Sequence, residues 1–494
     1  YDISDYYDIM DDFGTMADFD RLLSEVHKRG MRLIMDLVVN HTSDEHPWFE
    51  AAKQDRHNKY HQYYIWRRDD GSHTPPNNWE SLFSGSAWNY YEAVDSWAMH
   101  AFSKKQMDLN WENPAVRLDI YKMINWWLDK GIDGFRMDVI NFISKWPSLP
   151  DGDPVVGKTL GFCGAEFYFY GPCLHAYLHE MNRNCFGRGD KEYVTVGECG
   201  GLGIETAKLT TADTRQELSM VFNFDHLDNP GHMRFDEYQY DLRKAVKTIL
   251  KWQVEYTNHC WPTLLFENHD NPRVTSKVDP TDTYTSEIAK LCAVLEMTLK
   301  GSPFIYQGQE LGMTNTHFDS MDDVRDVESI NLYNKLVAKG KKPEKALRII
   351  NGGSRDHGRT PMQWTAEPGA GFTDGTPWIG INKNAVRLNA ADEAKVPDSV
   401  LNDFKRLIAL RHANPALVYG EFTQLCPENK NVVCYKRTLD GNTFFVELNL
   451  TGKRQNRPYD PVDFKRLYSN YHDHRDVLMP FEANVYLAEG EAKA

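Results

Sequence analysis

The sequence lacks any run of about 18 apolar residues, so no part of the given chain is predicted to span a membrane. It has no C-x-x-C motif, and its eight cysteines are scattered along 494 residues. Scattered cysteines in a long chain are typical of free thiols, which predicts a cytoplasmic protein. Basic residues are too few for a nucleic-acid partner, because 56 Lys and Arg accompany 71 Asp and Glu, a net charge of −15.

No Gly-rich phosphate turn follows the first apolar strand, which argues against a doubly wound nucleotide-binding sheet. Instead, one unit is repeated: an amphipathic helix ends near Gly, and a short apolar strand follows that ends in polar residues. Residues 18–28 and 32–39 form the first such unit. Because parallel neighbours need a crossover connection, this alternation predicts an α/β fold with a parallel sheet.

The predicted strands end in Asp, Glu, His or Asn, as the strands of TIM barrels do at their catalytic face. We therefore predict a (β/α)8 TIM barrel, and since about six units are visible, we expect the first strands to precede Tyr1. The predicted catalytic barrel comprises residues 1–41 and 107–415. An aromatic-rich subdomain is inserted at residues 42–106, and an antiparallel, sandwich-like β domain follows at residues 416–494.

The insertion at residues 42–106 is dense in Trp, Tyr and His. Packing of a small subdomain is the simpler explanation, and a lid that stacks on sugar rings is the functional one. In the C-terminal domain, two apolar segments flank Asp440-Gly441 and predict a β-hairpin.

Three acids, Asp138, Glu198 and Asp270, stand at the ends of three predicted strands. A single acid at such a place is more often a helix cap or a surface charge, but a closed barrel brings several strand ends together. Breaking a glycosidic bond with retention needs a nucleophilic carboxylate and a proton-donating carboxylic acid about 5 Å apart. A third carboxylate can stabilise the positive transition state. The three acids therefore predict a glycosidase site.

Other polar residues surround these strand ends. Arg136 lies two residues before Asp138, so it points to the same side and is expected to keep that carboxylate ionised. His41 and His269 follow apolar strands and are predicted to bind sugar hydroxyls. A metal site is the competing interpretation, but no zinc-type helical pair and no calcium-loop motif is present, so we predict no metal ligands.

The strings DLVVNHTS, GFRMDVI, VGE and ENHD resemble, in this order, the four signature segments of the α-amylase superfamily of glycoside hydrolases. HTSDEHPWF, FSKKQMDLNWENP, SPFIYQGQELGMTN and RTPMQW resemble one subgroup of it. That subgroup contains oligo-1,6-glucosidases, dextran glucosidases, α-glucosidases, trehalose-6-phosphate hydrolases and sucrose isomerases. The resemblance covers nearly the whole chain.

The resemblance implies a role for each matching residue. Asp138 matches the nucleophile, Glu198 the acid/base and Asp270 the transition-state stabiliser. The residues that match positions around the first sugar are Arg136, His41, His269, Tyr1, Phe102 and Gln106, with Tyr1 as the ring on which the sugar stacks. Arg359 matches an arginine that grips the non-reducing end. Val139 resembles α-1,6-preferring members, whereas Ala or Thr at this position goes with α-1,4 preference.

The resemblance thus predicts an exo-acting, retaining α-glucosidase that hydrolyses α-1,6 bonds, and also α-1,4 bonds, in small oligosaccharides such as isomaltose. We expect it to be a monomer. It needs no cofactor, and the calcium loop of the subgroup would lie before Tyr1. A sucrose isomerase or trehalose-6-phosphate hydrolase is the alternative, with the same acids and another acceptor site. The heavy subunits of amino-acid transporters resemble the fold but are binding partners, many without the acids. All three acids are present here, which favours an enzyme.

Overall fold

A parallel sheet forms the centre of the first of two units, Tyr1–Phe222 and Asn223–Ala494, into which the computed structural model divides. The structure describes residues 1–258, 260–473 and 476–488. The strands of the first unit are β1 Ile34–Val38, β2 His41–Ser43, β3 Trp66–Arg68, β4 Trp88–Tyr91, β5 Ser96–Met99, β6 Gln106–Asp108, β7 Gly134–Asp138, β8 Val194–Gly197 and β9 Met220–Val221. Its helices are α1 Met16–Lys28, α2 Pro47–Ala52, α3 Pro114–Lys130, α4 Pro154–Leu160, α5 Ala165–Tyr168, α6 Leu174–Met181 and α7 Ile204–Thr211.

The parallel sheet has the strand order β1-β7-β8-β9. Helix α3 begins after its cap Asn113 with Pro114 in the first turn, and Gly131 ends it in a left-handed conformation before β7. A Cβ atom on Gly134 would lie 1.9 Å from the carbonyl oxygen of Val194. Only glycine therefore lets β7 begin this close to β8.

The two ends of the inserted segment pair with each other as a two-stranded antiparallel sheet formed by β2 and β6. Further along, β5 lies between β3 and β4. The aromatic side chains form a core in which Trp79, Trp88 and Phe102 pack with Phe142 and Tyr168. Packing thus accounts for much of the aromatic content, and the predicted limits of the subdomain stay a prediction.

The second unit combines helices with an antiparallel sheet. Its helices are α8 Leu242–Glu255, α9 Val274–Val278, α10 Thr285–Thr298, α11 Val327–Ala338, α12 Pro343–Gly353, α13 Ala390–Glu393, α14 Val400–Ala413 and α15 Pro415–Tyr419. Its strands are β10 Thr263–Leu264, β11 Ser302–Pro303, β12 Glu421–Leu425, β13 Val432–Leu439, β14 Asn442–Asn449, β15 Gln455–Asn456, β16 Phe464–Ser469, β17 Val477–Leu478 and β18 Ala483–Ala488.

The large C-terminal sheet has the order β12-β13-β14-β18-β16, with antiparallel neighbours throughout. The predicted hairpin is confirmed: β13 and β14 pair through Asp440 and Gly441, whose φ angles of 51° and 81° suit the tight hairpin turn. The sheet shares a buried apolar core with α10 and α14. In the described part of the chain no helix has both the length and the apolar character needed to cross a membrane.

Candidate active site

Arg136 on β7 holds three carboxylates in the first unit. Its Nη1 lies 2.8 Å and 2.9 Å from the two carboxylate oxygens of Asp36 and 2.8 Å from Oδ1 of Asp138. Its Nη2 donates a hydrogen bond to Oε2 of Glu198. The predicted nucleophile and the predicted proton donor thus contact one guanidinium.

The strand register explains this cluster. Arg136 and Asp138 are two residues apart on β7, so their side chains lie on the same side of the sheet. Asp36 on β1 is the register partner of Arg136, and Val38 is the partner of Asp138. Glu198 follows directly after β8, whose Gly197 pairs with Met137. All four charged side chains therefore come from neighbouring strands of one parallel sheet.

Burial and charge act against each other at Arg136. Burial alone would lower the pKa of its guanidinium, but the carboxylates of Glu198, Asp36 and Asp138 outweigh this effect and raise the pKa above its usual value. The pKa of Asp36 is also raised, because its burial outweighs the attraction of Arg136. One fixed positive charge among three acids favours retention of a proton in the cluster.

His41, Gln106, Phe102 and Tyr1 lie together beside β2 and β6. Nε2 of His41 lies 2.8 Å and Nε2 of Gln106 lies 3.2 Å from the carbonyl oxygen of Tyr1. The rings of His41 and Phe102 are 5.3 Å apart. The half-exposed Tyr1 ring lies 5.4 Å from the guanidinium carbon of Arg136, so these residues adjoin the acids.

Val139, directly after Asp138, has φ 36° and ψ 43°. This left-handed conformation is strained for a β-branched side chain. The backbone N–H of Val139 lies 3.3 Å from Oε2 of Glu198 and donates to it. The strained residue therefore touches the predicted acid/base through its backbone.

A buried network that the sequence pattern does not predict lies behind His41. Nζ of Lys145 lies 2.6 Å from Oδ2 of Asp108 and 2.7 Å from Oδ1 of Asn40. Nδ2 of Asn40 lies 3.1 Å from Nδ1 of His41. Asp36 was also not predicted as a site residue. Its position as a charged residue inside the apolar run RLIMDLVV nevertheless indicates that a charged partner lies beside it.

Lys145→Met is expected to lower the free energy of unfolding by about 3–5 kcal/mol, because Asp108 would stay buried without its cation. Thermal unfolding followed by circular dichroism would measure the change. The exposed Lys104→Met is the matched control and should unfold like the parent. Equal melting temperatures for the two variants would contradict a stabilising role of the pair.

The second unit contains the third acid. Oδ1 of Asp270 lies 2.8 Å from Nη2 of Arg359 and 3.4 Å from Nη1 of Arg355. Oδ2 of Asp270 lies 3.2 Å from Nε2 of His269, and the side chain of Arg234 donates to the backbone carbonyl of Asp270. The predicted residues His269, Asp270 and Arg359 are thus neighbours.

The cations around Asp270 determine its ionisation. Burial raises the pKa of this carboxyl, but His269, Arg355, Arg359 and Arg234 outweigh it, so the net pKa is lowered. Arg355 was not among the predicted site residues, and its Nη2 lies 2.6 Å from Oδ1 of Asp326. Its position four residues before Arg359 was the available signal.

Within the described residues, no group of three or more His, Cys, Asp or Glu side chains has an arrangement that could hold a metal ion. All eight cysteines are free thiols. The absence of a cofactor requirement, the cytoplasmic location and the monomeric state stay predictions.

A family model for the catalytic domain of alpha amylase matches residues 1–420. The chain belongs to the α-amylase family. The predicted family, the predicted glycoside hydrolase class and the predicted fold class, a TIM barrel with a C-terminal antiparallel β domain, are confirmed. The roles of the individual site residues stay predictions.

Relatives in the α-amylase family match over almost the whole chain. The chain is 44% identical to an oligo-1,6-glucosidase of Halalkalibacterium halodurans, over 99% of this chain and 89% of that protein. The structure of a trehalose-6-phosphate hydrolase from Bacillus licheniformis matches with a TM-score of 0.89 and 40% identity, over 99% and 89% of the two chains. That of an isomaltulose synthase from Erwinia rhapontici matches with a TM-score of 0.92 and 39% identity, over the same shares.

Proposed function

We propose that this protein is a retaining, exo-acting α-glucosidase that releases glucose from α-1,6-linked, and also α-1,4-linked, small oligosaccharides such as isomaltose. The observation that carries the proposal is the contact of Asp138 and Glu198 with the single guanidinium of Arg136. Because both carboxyl groups contact one guanidinium, they lie near each other, and double displacement needs carboxyl groups about 5 Å apart. The similarity to oligo-1,6-glucosidases supports the substrate class.

In the proposed reaction, Asp138 attacks the anomeric carbon while Glu198 protonates the departing oxygen. Glu198 then removes a proton from water, which hydrolyses the glycosyl-enzyme intermediate. Arg136 donates a hydrogen bond to Asp138 and so fixes the position of its carboxyl group for the first step. This chemistry is carried by carboxyl groups, so we propose that no cofactor is required.

Asp270 and Arg359 are proposed to bind the same glucose unit. The surrounding cations keep Asp270 ionised, and a carboxylate can stabilise the positive charge that develops on the sugar ring. Arg359 would close the pocket at the non-reducing end, which makes the enzyme exo-acting. His41, Gln106 and His269 would bind hydroxyl groups, and Tyr1 and Phe102 would contact the ring.

Asp36→Asn is expected to shift the alkaline limb of the pH profile of kcat/KM to lower pH by about one unit. Removing the negative charge of Asp36 lets Arg136 act more strongly on Glu198, so the acid loses its proton at lower pH. Initial rates on isomaltose, measured across the acidic and alkaline limbs of the profile, would give the shift. An unchanged alkaline limb would mean that Asp36 does not share the charge of this cluster.

Val139→Ala is expected to change the ratio of kcat/KM for isomaltose over maltose by about tenfold toward maltose, as a few methyl groups discriminate by about 1–3 kcal/mol. The melting temperature should change little, because relief of the left-handed strain offsets the lost contacts of the methyl groups with the aromatic core. Parallel rate measurements on both disaccharides test the selectivity. A fall of both rates by the same factor would refute the selector role.

The test of the function is incubation of the protein with isomaltose, maltose, sucrose and trehalose 6-phosphate, with the products identified and the anomer of the released glucose followed by NMR. We expect α-glucose from isomaltose. Isomaltulose from sucrose would identify an isomerase, and glucose 6-phosphate from the phosphorylated disaccharide would identify the other alternative. No product from any sugar would contradict an enzymatic function. We also propose that the enzyme is cytoplasmic and monomeric. Its free thiols suit the reducing conditions of the cytoplasm.

A further inference from the structure

The first unit contains a cavity that none of the predicted substrate-binding residues lines. Its volume is about 510 Å³, within the range of about 300–1,000 Å³ that is typical of small-molecule sites. The walls are formed by residues within 61–67, by residues 109–114 before and at the start of α3, by residues within 143–149, and by Cys173 and Tyr177. The cavity is therefore distinct from the cluster around Arg136.

Aromatic rings form much of the wall. Trp146 is 45% exposed, an unusual degree for so large an apolar ring. Trp111 is buried and its indole N–H donates to the carbonyl oxygen of Val39 at 2.8 Å. Tyr177 packs under the guanidinium of Arg117 at 5.1 Å. A partly exposed indole beside two fixed rings suits the flat apolar face of a pyranose.

Hydrogen bonds between the walls fix the shape of the cavity. The guanidinium of Arg67 donates to the carbonyl oxygens of Trp66 and Pro147, both at 3.0 Å, and so connects two walls. Nδ2 of Asn110 donates to the carbonyl oxygen of Gln62 at 3.2 Å. Because these walls are fixed before a ligand arrives, binding would require little ordering of the protein.

The charges that line the cavity are balanced. Arg67 is opposed by Glu112, and Lys145 is paired with Asp108 at 2.6 Å. A phosphate, a nucleotide or a metal ion would meet no net opposite charge here. A neutral molecule with many hydroxyl groups fits better, since carboxylate, guanidinium and amide groups together accept from and donate to hydroxyls.

We propose that this cavity is an auxiliary binding site for a neutral α-glucan, with one glucose ring stacked on Trp146 and its hydroxyl groups bound by Arg67, Glu112 and Asn110. The choice of an α-glucan rests on the proposed function. The existence of the site rests on the cavity alone and does not depend on the role of Asp138.

The test is calorimetric titration of the Asp138→Asn protein, which prevents hydrolysis, with isomaltotriose and with maltotriose. When Trp146→Ala is added to the Asp138→Asn protein, the affinity of one of the sugar-binding sites is expected to fall about tenfold, because the sugar loses an aromatic contact. Adding Phe13→Ala, which removes an 82% exposed ring outside the cavity, should change nothing. With Asp138 intact, Trp146→Ala should leave the turnover of 4-nitrophenyl α-glucoside unchanged.

A second variant, Glu112→Ala, guards against misfolding of the tryptophan variant and should weaken the same class of binding. Isotherms that neither Trp146→Ala nor Glu112→Ala changes would overturn the proposal. Failure of the proposed function would look different: isomaltose would not be hydrolysed by the parent protein, whatever the titrations give. Sugar binding that is sensitive to Trp146 in such an inactive protein would still support the auxiliary site.

Discussion

Asp138→Asn should reduce the turnover of isomaltose by about 10,000-fold or more, on the order of the losses seen when a catalytic nucleophile is removed. The amide has nearly the shape of the carboxylate and can still contact Arg136, so the fold should survive. Without the negative charge, however, no covalent intermediate forms with the anomeric carbon. Steady-state rates on isomaltose, with melting temperatures measured alongside, would establish the effect.

The control for this substitution is Asp190→Asn, which makes the same chemical change at an exposed position. It should retain the parent rate. Turnover of the Asp138→Asn enzyme within tenfold of the parent would mean that another group is the nucleophile.

Glu198→Gln should show a loss that depends on the leaving group. With isomaltose, turnover is expected to fall by about 10,000-fold, because the departing sugar needs a proton. With 4-nitrophenyl α-glucoside the leaving group departs as a stable anion, so the first step needs little help from an acid. Rapid mixing should then reveal a burst of nitrophenol, one per active site, followed by slow hydrolysis of the intermediate.

Azide provides a further check on Glu198→Gln, since it is a nucleophile that needs no general base. It should restore steady-state turnover of the activated substrate and yield a glucosyl azide. Equal losses on both substrates, with no burst and no effect of azide, would assign Glu198 a structural role instead of acid/base catalysis.

Hydrophobic periodicity predicted the first helix–strand unit, whereas the short strands β2 to β6 were not predicted. The predicted strand over 32–39 corresponds to β1, and the predicted helix over 18–28 corresponds to α1. The apolar pattern also predicts a helix over 118–130, which corresponds to α3 but begins four residues too late, because α3 begins at Pro114. Its capping residue Asn113 and the following proline were a signal that the apolar pattern alone does not contain.

The site was predictable only in part because its partners are set by register and by distant chain segments. Asp138 and Glu198 were identified by their places at strand ends, whereas Asp36 meets Arg136 only because β1 pairs with β7 in one register. Lys145 lies in a loop and Arg355 begins a short 3-10 helix, Arg355–Arg359, and in neither case does spacing along the chain predict the contacts. The convergence of Asp270 with the other two acids stays a prediction.

The pairing of β2 with β6 makes the segment between them exchangeable. Ser43 and Gln106 are register partners, so the long insertion starts and finishes at adjacent points of the backbone. A segment whose two ends already meet can be exchanged for one of different length at a small entropic cost, since closing a longer loop adds only about 0.6 kcal/mol per doubling. Residues 44–105 therefore form a natural cassette for chimaeras with relatives of other specificity.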